Sequence, residues 1–415
     1  MPSVLRVVAF VIGVVIVSGG AHVLFVRWLC TFFPRLREHR RKLWTIGALL
    51  VLLPMVVRWA ARALGSSSLV SLQALVMGEQ MVVVLGALPL LVFLALTAAA
   101  GAVFDRRTRA PAPAPAPETP PKDDDPPASE PDPSPAPAPS RPAHISRRDA
   151  MMRVSGVAAW GMTGSLLGWG MVRGRHAFAV EEVVVRIARL PKALDGYTIA
   201  QVSDIHCGPF VGERELGEAF ELVRGIKPDL VVATGDLVDF DAAFTPLFAR
   251  RFADLPSRDG RLAILGNHDY YAGARIVRDH LAAAGVEVLV NESRILRPKD
   301  GGGIALVGVD DMWSKPDLDG ALAGVGKDLP KVLLAHQPRF LDFAAGSVDL
   351  QLSGHTHGGQ ICPGFNPAAL VMRYVAGRYE KSGTVLWVNR GVGVAAIPSR
   401  VAAPPEVTKI VLVAG

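Results

Sequence analysis

Cysteine is nearly absent, with three among 415 residues, at positions 30, 207 and 362. So few and so widely spaced, they exclude a disulfide-stapled scaffold and a structural zinc site built from thiolates. Cys207 and Cys362 leave room for one disulfide outside the cytoplasm, but two buried thiols are the expectation. A net positive charge is missing from the C-terminal part. Residues 1–180 hold 19 Lys and Arg against 10 Asp and Glu, whereas the remainder holds 25 against 28, so the net +6 divides into +9 and −3. A basic surface for nucleic acid is therefore not expected beyond residue 180.

Apolar residues are abundant instead, at 50% of the chain. With a positive mean hydropathy, this is too apolar for one ordinary soluble domain, and the excess lies at the N-terminus. Val7 to Val26 and Met81 to Phe104 are apolar stretches long enough to cross a bilayer. Leu43 to Val57 is shorter and spans only if it continues through Arg58 or Arg62, which can snorkel to the interface. Leu69 to Gly78 reads either as loop or as one arm of a further span. Arg27, Arg35, Arg37, Arg40, Arg41 and Lys42 follow the first stretch, and Arg106, Arg107 and Arg109 follow the third. The positive-inside rule puts both basic segments in the cytoplasm. Residues 1–110 thus read as a helical membrane region of about three spans.

Residues 111–145 are Pro-Ala repeats broken by Lys122-Asp123-Asp124-Asp125, a composition that cannot bury a core and reads as a disordered linker. Residues 146–180 begin Ser146-Arg147-Arg148-Asp149 and continue into an uncharged, glycine-rich run from Val154 to Val172. This resembles a twin-arginine export signal, with Ala177-Phe178-Ala179 as a site for a signal peptidase, and an ordinary final transmembrane helix is the alternative. Either carries residues 181–415 to the extracytoplasmic side of a bacterial inner membrane.

Residues 181–415 alternate short apolar runs with small polar clusters. Strands are predicted over Thr198–Val202, Leu230–Thr234, Leu262–Leu265, Ile304–Val309, Lys331–Ala335, Leu350–Ser353 and Val385–Asn389, and helices over Glu213–Gly225 and Ala274–Ala284. Five of the strands end at a cluster: Asp204-Ile205-His206, Gly235-Asp236-Leu237-Val238-Asp239, Gly266-Asn267-His268-Asp269, His336, and Gly354-His355-Thr356-His357. In open α/β sheets, sites form outside the carboxyl ends of strands, where these clusters fall. Carboxylate, imidazole and one amide oxygen suit Mn, Fe or Zn better than Ca. A carboxylate shared by two such ions, about 3.5 to 4 Å apart, would activate a bridging water for in-line displacement at phosphorus. A lone histidine such as His336 is by default a hydrogen-bonded core residue. The ordered series reverses that default, whereas His280 lacks such company and reads as a helix-surface residue.

The ordered set resembles the calcineurin-like metallophosphoesterase superfamily. Gly354 to Gln360 (GHTHGGQ), Arg390-Gly391-Val392-Gly393 and Pro404-Pro405-Glu406 resemble its membrane-anchored bacterial branch. The resemblance covers Tyr197 to the C-terminus and implies a sandwich of two mixed β-sheets flanked by helices. It implies two divalent metal ions: Asp204, His206 and His357 on one, Asn267, His336 and His355 on the other, and Asp236 bridging. His268 is implied as the catalytic histidine and Asp239 as the carboxylate that orients it, while Asp269 is left open. Phe240-Asp241 stands where Ser/Thr protein phosphatases carry Arg-Gly, so that activity is not expected. Phe365, Leu370, Val371, Met372 and Tyr374 could form a lip for an amphiphilic phosphate. A covering loop that buries these residues is the favoured reading.

The function expected is hydrolysis of a phosphorylated small molecule or lipid at a membrane. A membrane-bound sensor or scaffold, and a nuclease, are the alternatives. The intact ligand set favours the enzyme, and the acidic domain disfavours the nuclease.

Overall fold

The computed structural model describes residues 2–64, 147–296 and 303–415, with a few helical positions between 72 and 95. The linker and most of the stretches Leu69 to Gly78 and Met81 to Phe104 lie outside these residues. The chain divides into two units, Met1–Val51 with Met81–Thr163, and Leu52–Gln80 with Gly164–Gly415.

Helix α1 (Pro2–Phe32) contains the first apolar stretch. Its Val15–Phe32 portion is long and apolar enough to cross a membrane, the one such window among the described residues. Helix α2 (Arg40–Leu64) runs 25 residues, well past the shorter stretch read from sequence. It passes through Arg58 and Arg62, and its length, about 37 Å at the usual rise per residue, exceeds the hydrocarbon core. Helix α3 (Arg147–Val172) begins at the twin arginines.

Within the first unit, the indole of Trp28 fills the space a side chain would need at Gly156, and Trp160 does the same at Gly86. The two rings lie 4.9 Å apart. Their N–H groups donate to the carbonyls of Met152 and Val83, at 3.1 and 3.2 Å. Small residues that let large rings approach a backbone are a common way to pack helices in lipid.

The second unit holds two six-stranded sheets. The first runs in the order β1 (Ala179–Ile187), β12 (Glu406–Ala414), β2 (Tyr197–Val202), β3 (Leu230–Thr234), β4 (Arg261–Ile264), β5 (Glu287–Val288). The second runs β10 (Gly377–Lys381), β11 (Thr384–Val388), β9 (Leu350–Ser353), β8 (Lys331–Leu334), β7 (Ile304–Gly308), β6 (Glu292–Leu296). Both are mixed: β2, β3, β4 and β5 are parallel, as are β7, β8, β9 and β11, while β12–β2, β6–β7 and β10–β11 are antiparallel.

The sheets face each other across Ile199, Leu230, Val232, Ile264, Leu306, Val332, Leu334, Leu352 and Ile410, all solvent-free. Each such side chain contributes about 1.5 to 3 kcal/mol by leaving water. The opposite face of the first sheet is covered by helices α4 (Glu213–Ile226), α5 (Thr245–Ala253) and α7 (Ala274–Ala283), the last preceded by the short α6 (Asn267–Ala272), through Phe220, Phe248, Phe252, Val277 and Leu281. This is the expected two-sheet sandwich, and all seven expected strands occur within about one residue of their expected ends. Strands β1, β5, β6, β10 and β12, and helix α5, were not visible as separate elements in the sequence pattern. Ala179, the proposed cleavage residue, is already the first residue of β1, and its N–H donates to the carbonyl of Pro405 at 2.8 Å.

Candidate metal centre

Five strands of the two sheets deliver the clusters to one edge of the sandwich. β2 ends in Asp204 and His206, β3 in Asp236, β4 in Asn267 and His268, β8 in His336, and β9 in His355 and His357. Five of these eight residues turn inward on unusual backbone. Asp204 (φ 48°), His206 (φ 49°), Asp236 (φ 52°), His355 (φ 72°) and His357 (φ 53°) all adopt left-handed conformations. Such conformations cost non-glycine residues about 1 to 3 kcal/mol each and persist only where the surroundings impose them. The glycines of the clusters have a separate reason. A Cβ at Gly235 would sit 2.7 Å from His336 Nδ1, one at Gly266 would sit 2.3 Å from Asp236 Oδ1, and one at Gly354 would sit 2.1 Å from Asp204 Oδ2.

The side chains of the implied ligands form two adjoining groups, and His206 belongs as well to a third group with Asp239 and His268. Asp204, His206 and His357 bring one potential ligand atom each within 4.8 Å of one another, and so do Asp236, His336 and His355. His206 Nε2 and His357 Nε2 are 3.0 Å apart, and His355 Nδ1 and His336 Nε2 are 3.3 Å apart. The Asp236 carboxylate reaches both groups, with Oδ2 3.2 Å from His336 Nε2 and 3.6 Å from His206 Nε2. Asn267 is buried, and its Oδ1 has no hydrogen-bond partner. Imidazole nitrogens that face one another, carboxylates between them and an unsatisfied amide oxygen are what a cation would satisfy. The donor set therefore fits divalent metal of the Mn, Fe or Zn kind.

Electrostatics point the same way. Burial opposes charge on Asp236, but His336, His268 and His206 outweigh it and hold the carboxyl well below its usual range. Burial would lower His336, yet Asp236 and Asp204 push it up to about 10. Burial together with His336 drives His355 down to about 4, and burial with His206 and Arg400 drives His357 well below its usual value. Neutral imidazoles keep a lone pair for a cation, and a cation would displace the proton His336 holds. His336 Nδ1 donates to the carbonyl of Thr234 at 2.8 Å, which leaves Nε2 facing Asp236.

His268 stands beside both groups. Its Nδ1 lies 3.0 Å from the carbonyl oxygen and 3.1 Å from Oδ1 of Asp239. Burial would lower it, but Asp239 and Asp236 raise it above the ordinary histidine value. The expected pairing of His268 with Asp239 is present. His280 lies apart, half-buried on helix α7.

Three supports escaped the sequence reading. Asp269 is a clamp: Oδ1 accepts from the N–H groups of Leu237 and Val238, at 2.9 and 3.1 Å, and Oδ2 from Gly266 at 2.9 Å. It ties the loop of Asp236 to that of Asn267, while burial and Asp236 push its pKa up to about 7. Arg400, fully buried, donates to the carbonyls of Ala403, Arg390, Gly391 and Gly393. The third is an aromatic wall. Phe240 packs on His268 with centroids 4.6 Å apart, Tyr271 stacks on Phe240 at 5.9 Å, and Trp313, 65% exposed, stands 6.3 Å from Tyr271 and 6.0 Å from His355. Trp313 follows β7, so this strand too ends at the site.

Two expectations about neighbouring residues resolve differently. Cys207 and Cys362 are buried free thiols, in line with the expectation. The segment after the histidines does not cover its own apolar residues. Tyr374 is buried, but Phe365, Leu370 and Val371 are 59, 80 and 85% exposed. The turn Pro367–Leu370 holds Leu370 outward while Asn366 fixes its base by donating to the carbonyl of Gly358 at 2.9 Å.

Residues 197–359 match the family model for calcineurin-like phosphoesterases. An uncharacterized metallophosphoesterase of Bacillus subtilis, YkuE, is 33% identical over 283 residues, spanning 65% of this chain and 98% of the relative. The chain belongs to the calcineurin-like metallophosphoesterases. It is a metal-dependent phosphoester hydrolase, and the clusters above lie where its family model matches, with His336, His355 and His357 toward the end of that match. A zebrafish (Danio rerio) transmembrane protein with metallophosphoesterase domain is 34% identical over 266 residues, spanning 60% of this chain and 61% of that protein.

Proposed function

We propose that this metallophosphoesterase is a membrane-anchored, dinuclear-metal hydrolase that cleaves phosphate esters or pyrophosphates of envelope or lipid-linked substrates. The observation that carries the dinuclear reading is the position of Asp236, whose Oδ2 lies within 3.6 Å of a histidine from each group. Asp204, His206 and His357 would hold one ion, Asn267, His336 and His355 the other, with Asp236 shared. When bound, the ions supply Lewis acidity and an activated water for displacement at phosphorus. The chain's own groups orient and protonate. His268 is held through Nδ1 by Asp239, so Nε2 is the nitrogen left to meet the substrate. Asp239 and Asp236 raise its pKa above the ordinary histidine value, which favours the protonated form that would stabilise the transferring oxygens and give a proton to the leaving group.

Membrane anchoring is supported by Val15–Phe32 and by relatives named as transmembrane proteins. The multi-pass arrangement, the inner membrane and the extracytoplasmic catalytic domain are supported by the basic segments after the first and third apolar stretches and by the twin-arginine-like segment that opens α3. Outside protease acting on intact spheroplasts should cleave the catalytic domain, and a protected domain would reverse the orientation. Retention of an Arg147→Lys, Arg148→Lys double variant inside the cell would support twin-arginine export, whereas unchanged export would exclude it.

The chemistry is tested on detergent-solubilised full-length protein. Two metal ions per chain and hydrolysis of an aryl phosphate ester are expected, both lost in Asp236→Asn. Absence of stoichiometric metal and of hydrolysis across monoesters, diesters and lipid pyrophosphates would favour a scaffold instead.

A further inference from the structure

We infer that the loop Phe365–Met372 docks on the lipid bilayer and holds the metal centre at the headgroup layer; this rests on the membrane-anchored reading above. Its tip is among the most water-exposed apolar surface of the catalytic unit, with Leu370 80% and Val371 85% exposed and Phe365 59%. Arg373, at the foot of the tip, has 71% of its side chain in solvent. Apolar residues flanked by a cation are the pattern of an element that enters the interface between headgroups and acyl chains. An isolated exposed leucine would need no explanation, but a tip of several does.

The bilayer is identified as the occupant by what the loop's base is joined to. The final turns of α3, within the uncharged run Val154–Val172, lie against the segment Ser399–Val401. Ser399 Oγ donates to the carbonyl of Leu167 at 2.9 Å, and the Arg400 N–H donates to that of Gly170 at 3.2 Å. A Cβ on Gly170 would meet Ser399 Oγ at 2.3 Å, and one on Gly174 would meet the carbonyl oxygen of Arg400 at 2.0 Å. Helix and segment are therefore in direct backbone contact. Leu167 is five residues from the helix end, so these contacts lie within about 8 Å of the point where the helix ends. Trp169, 52% exposed on the same turns, is the residue type that settles at membrane interfaces.

From Val401 the connection to the loop is short. Ile361 pairs with Val401 as a parallel bridge, and the Cys362 N–H donates to the carbonyl of Val401 at 2.9 Å. The apolar loop starts three residues later, and its Asn366 is bonded to Gly358, the neighbour of His357. One continuous set of contacts thus runs from the end of α3, which the anchored, exported arrangement proposed above would put at the bilayer surface, through the loop base, to the loop of the implied ligand His357. A phosphate at headgroup level would reach the centre without leaving the membrane surface.

The test uses the full-length protein in vesicles of phosphatidylcholine and phosphatidylglycerol. Val371→Cys and Phe365→Cys, each with Cys30→Ser, are spin-labelled, and the relative access of oxygen and of a water-soluble nickel complex is read. Arg214→Cys, on the exposed face of α4, serves as the aqueous reference. Labels at 371 and 365 should favour oxygen over nickel by at least several-fold relative to 214, and Leu370→Asp should return the 371 label toward the aqueous value. A label at 371 as accessible to nickel as that at 214 would overturn the proposal. A melting transition matching the parent's shows that each labelled protein is folded, and neither readout depends on hydrolysis.

Discussion

Arg400 Nη2 lies 3.2 Å from His357 Nδ1, and the same guanidinium gathers the carbonyls of Arg390, Gly391, Gly393 and Ala403. A fully buried arginine therefore sets the back of the loop that carries one implied ligand. Gly391 and Gly393 need this tight setting, because a Cβ at Gly391 would sit 2.7 Å from Asp204 Cβ and one at Gly393 would sit 2.0 Å from the Ile205 carbonyl oxygen. Burial lowers its pKa to about 10, which still leaves it charged at neutral pH.

Arg400→Met should accordingly leave several buried carbonyls without donors. Unpaired buried groups cost about 1 to 3 kcal/mol each, so a loss of several kcal/mol is expected in denaturant unfolding. Arg400→Lys keeps a charge but not the fork, and should recover only part of it. Metal content should fall from two ions toward one per chain, since the disturbed loop serves the group of His357. Wild-type stability in both variants would show that the network is dispensable.

His268→Ala should leave metal content nearly intact and lower turnover by about 10² to 10⁴, the range for losing an acid or base. Asp239→Asn should show a smaller fall of the same kind, together with a downward shift of the limb in the pH profile that reports His268, because Asp239 is among the groups that raise it. Undiminished turnover in His268→Ala would remove this residue from the reaction.

Trp313→Ala tests the aromatic wall. The ring stands 6.0 Å from His355 and is largely exposed, so its removal should cost little stability. Loss of an aromatic contact worth about 0.5 to 1.5 kcal/mol should weaken an aryl ester substrate by about two- to tenfold, seen in KM more than in kcat. An equal effect on methyl phosphate would mean that Trp313 acts on the phosphate side instead.

Acid stability can be assigned at Asp259, away from the centre. Burial opposes its charge, but hydrogen bonds from Arg258 and Tyr197 prevail and lower its pKa. The folded protein then holds the carboxylate charged at pH values where the unfolded chain has begun to bind a proton. Its contribution is complete above the ordinary carboxylate pKa and disappears as pH falls through the depressed value. At this partly exposed position it is worth about 1 kcal/mol or less. The stability difference between wild type and Asp259→Asn should therefore be largest at neutral pH and shrink below about pH 4. A difference that does not change with pH would contradict the assignment.

The implied ligands were legible because strand and cluster recur together: a short apolar run, then a small residue (Ser203, Gly235, Gly266, Ala335 or Gly354), then a residue able to bind metal. Leu230–Thr234 and Leu350–Ser353 were readable to the residue, since each is wholly buried and bounded by polar turns. Strand β10 was not, because Gly377–Lys381 is an edge strand with alternating polar exposure. Arg400 gives no signal in Ile397-Pro398-Ser399-Arg400, as nothing in sequence says that an arginine is buried or which carbonyls it meets. Asp269 was ambiguous for a related reason: a carboxylate beside metal-binding residues can bind metal or backbone, and only the three amides in front of it decide. The exposed tip at Leu370 was misjudged because composition says that a segment is apolar, not which way it faces.

The last strand has a bearing on how the protein is made. β12 lies between β1 and β2, pairing in parallel with the first and antiparallel with the second. While the chain is still on the ribosome, β2, which carries Asp204 and His206 at its end, has an open edge on that side. The first sheet closes only when residue 414 has emerged, so the strand that carries Asp204 and His206 stays unpaired on that side until β12 follows it. A cell that exports this domain as a thread must complete the centre outside, with whatever metal is there; one that exports it folded chooses the metal beforehand.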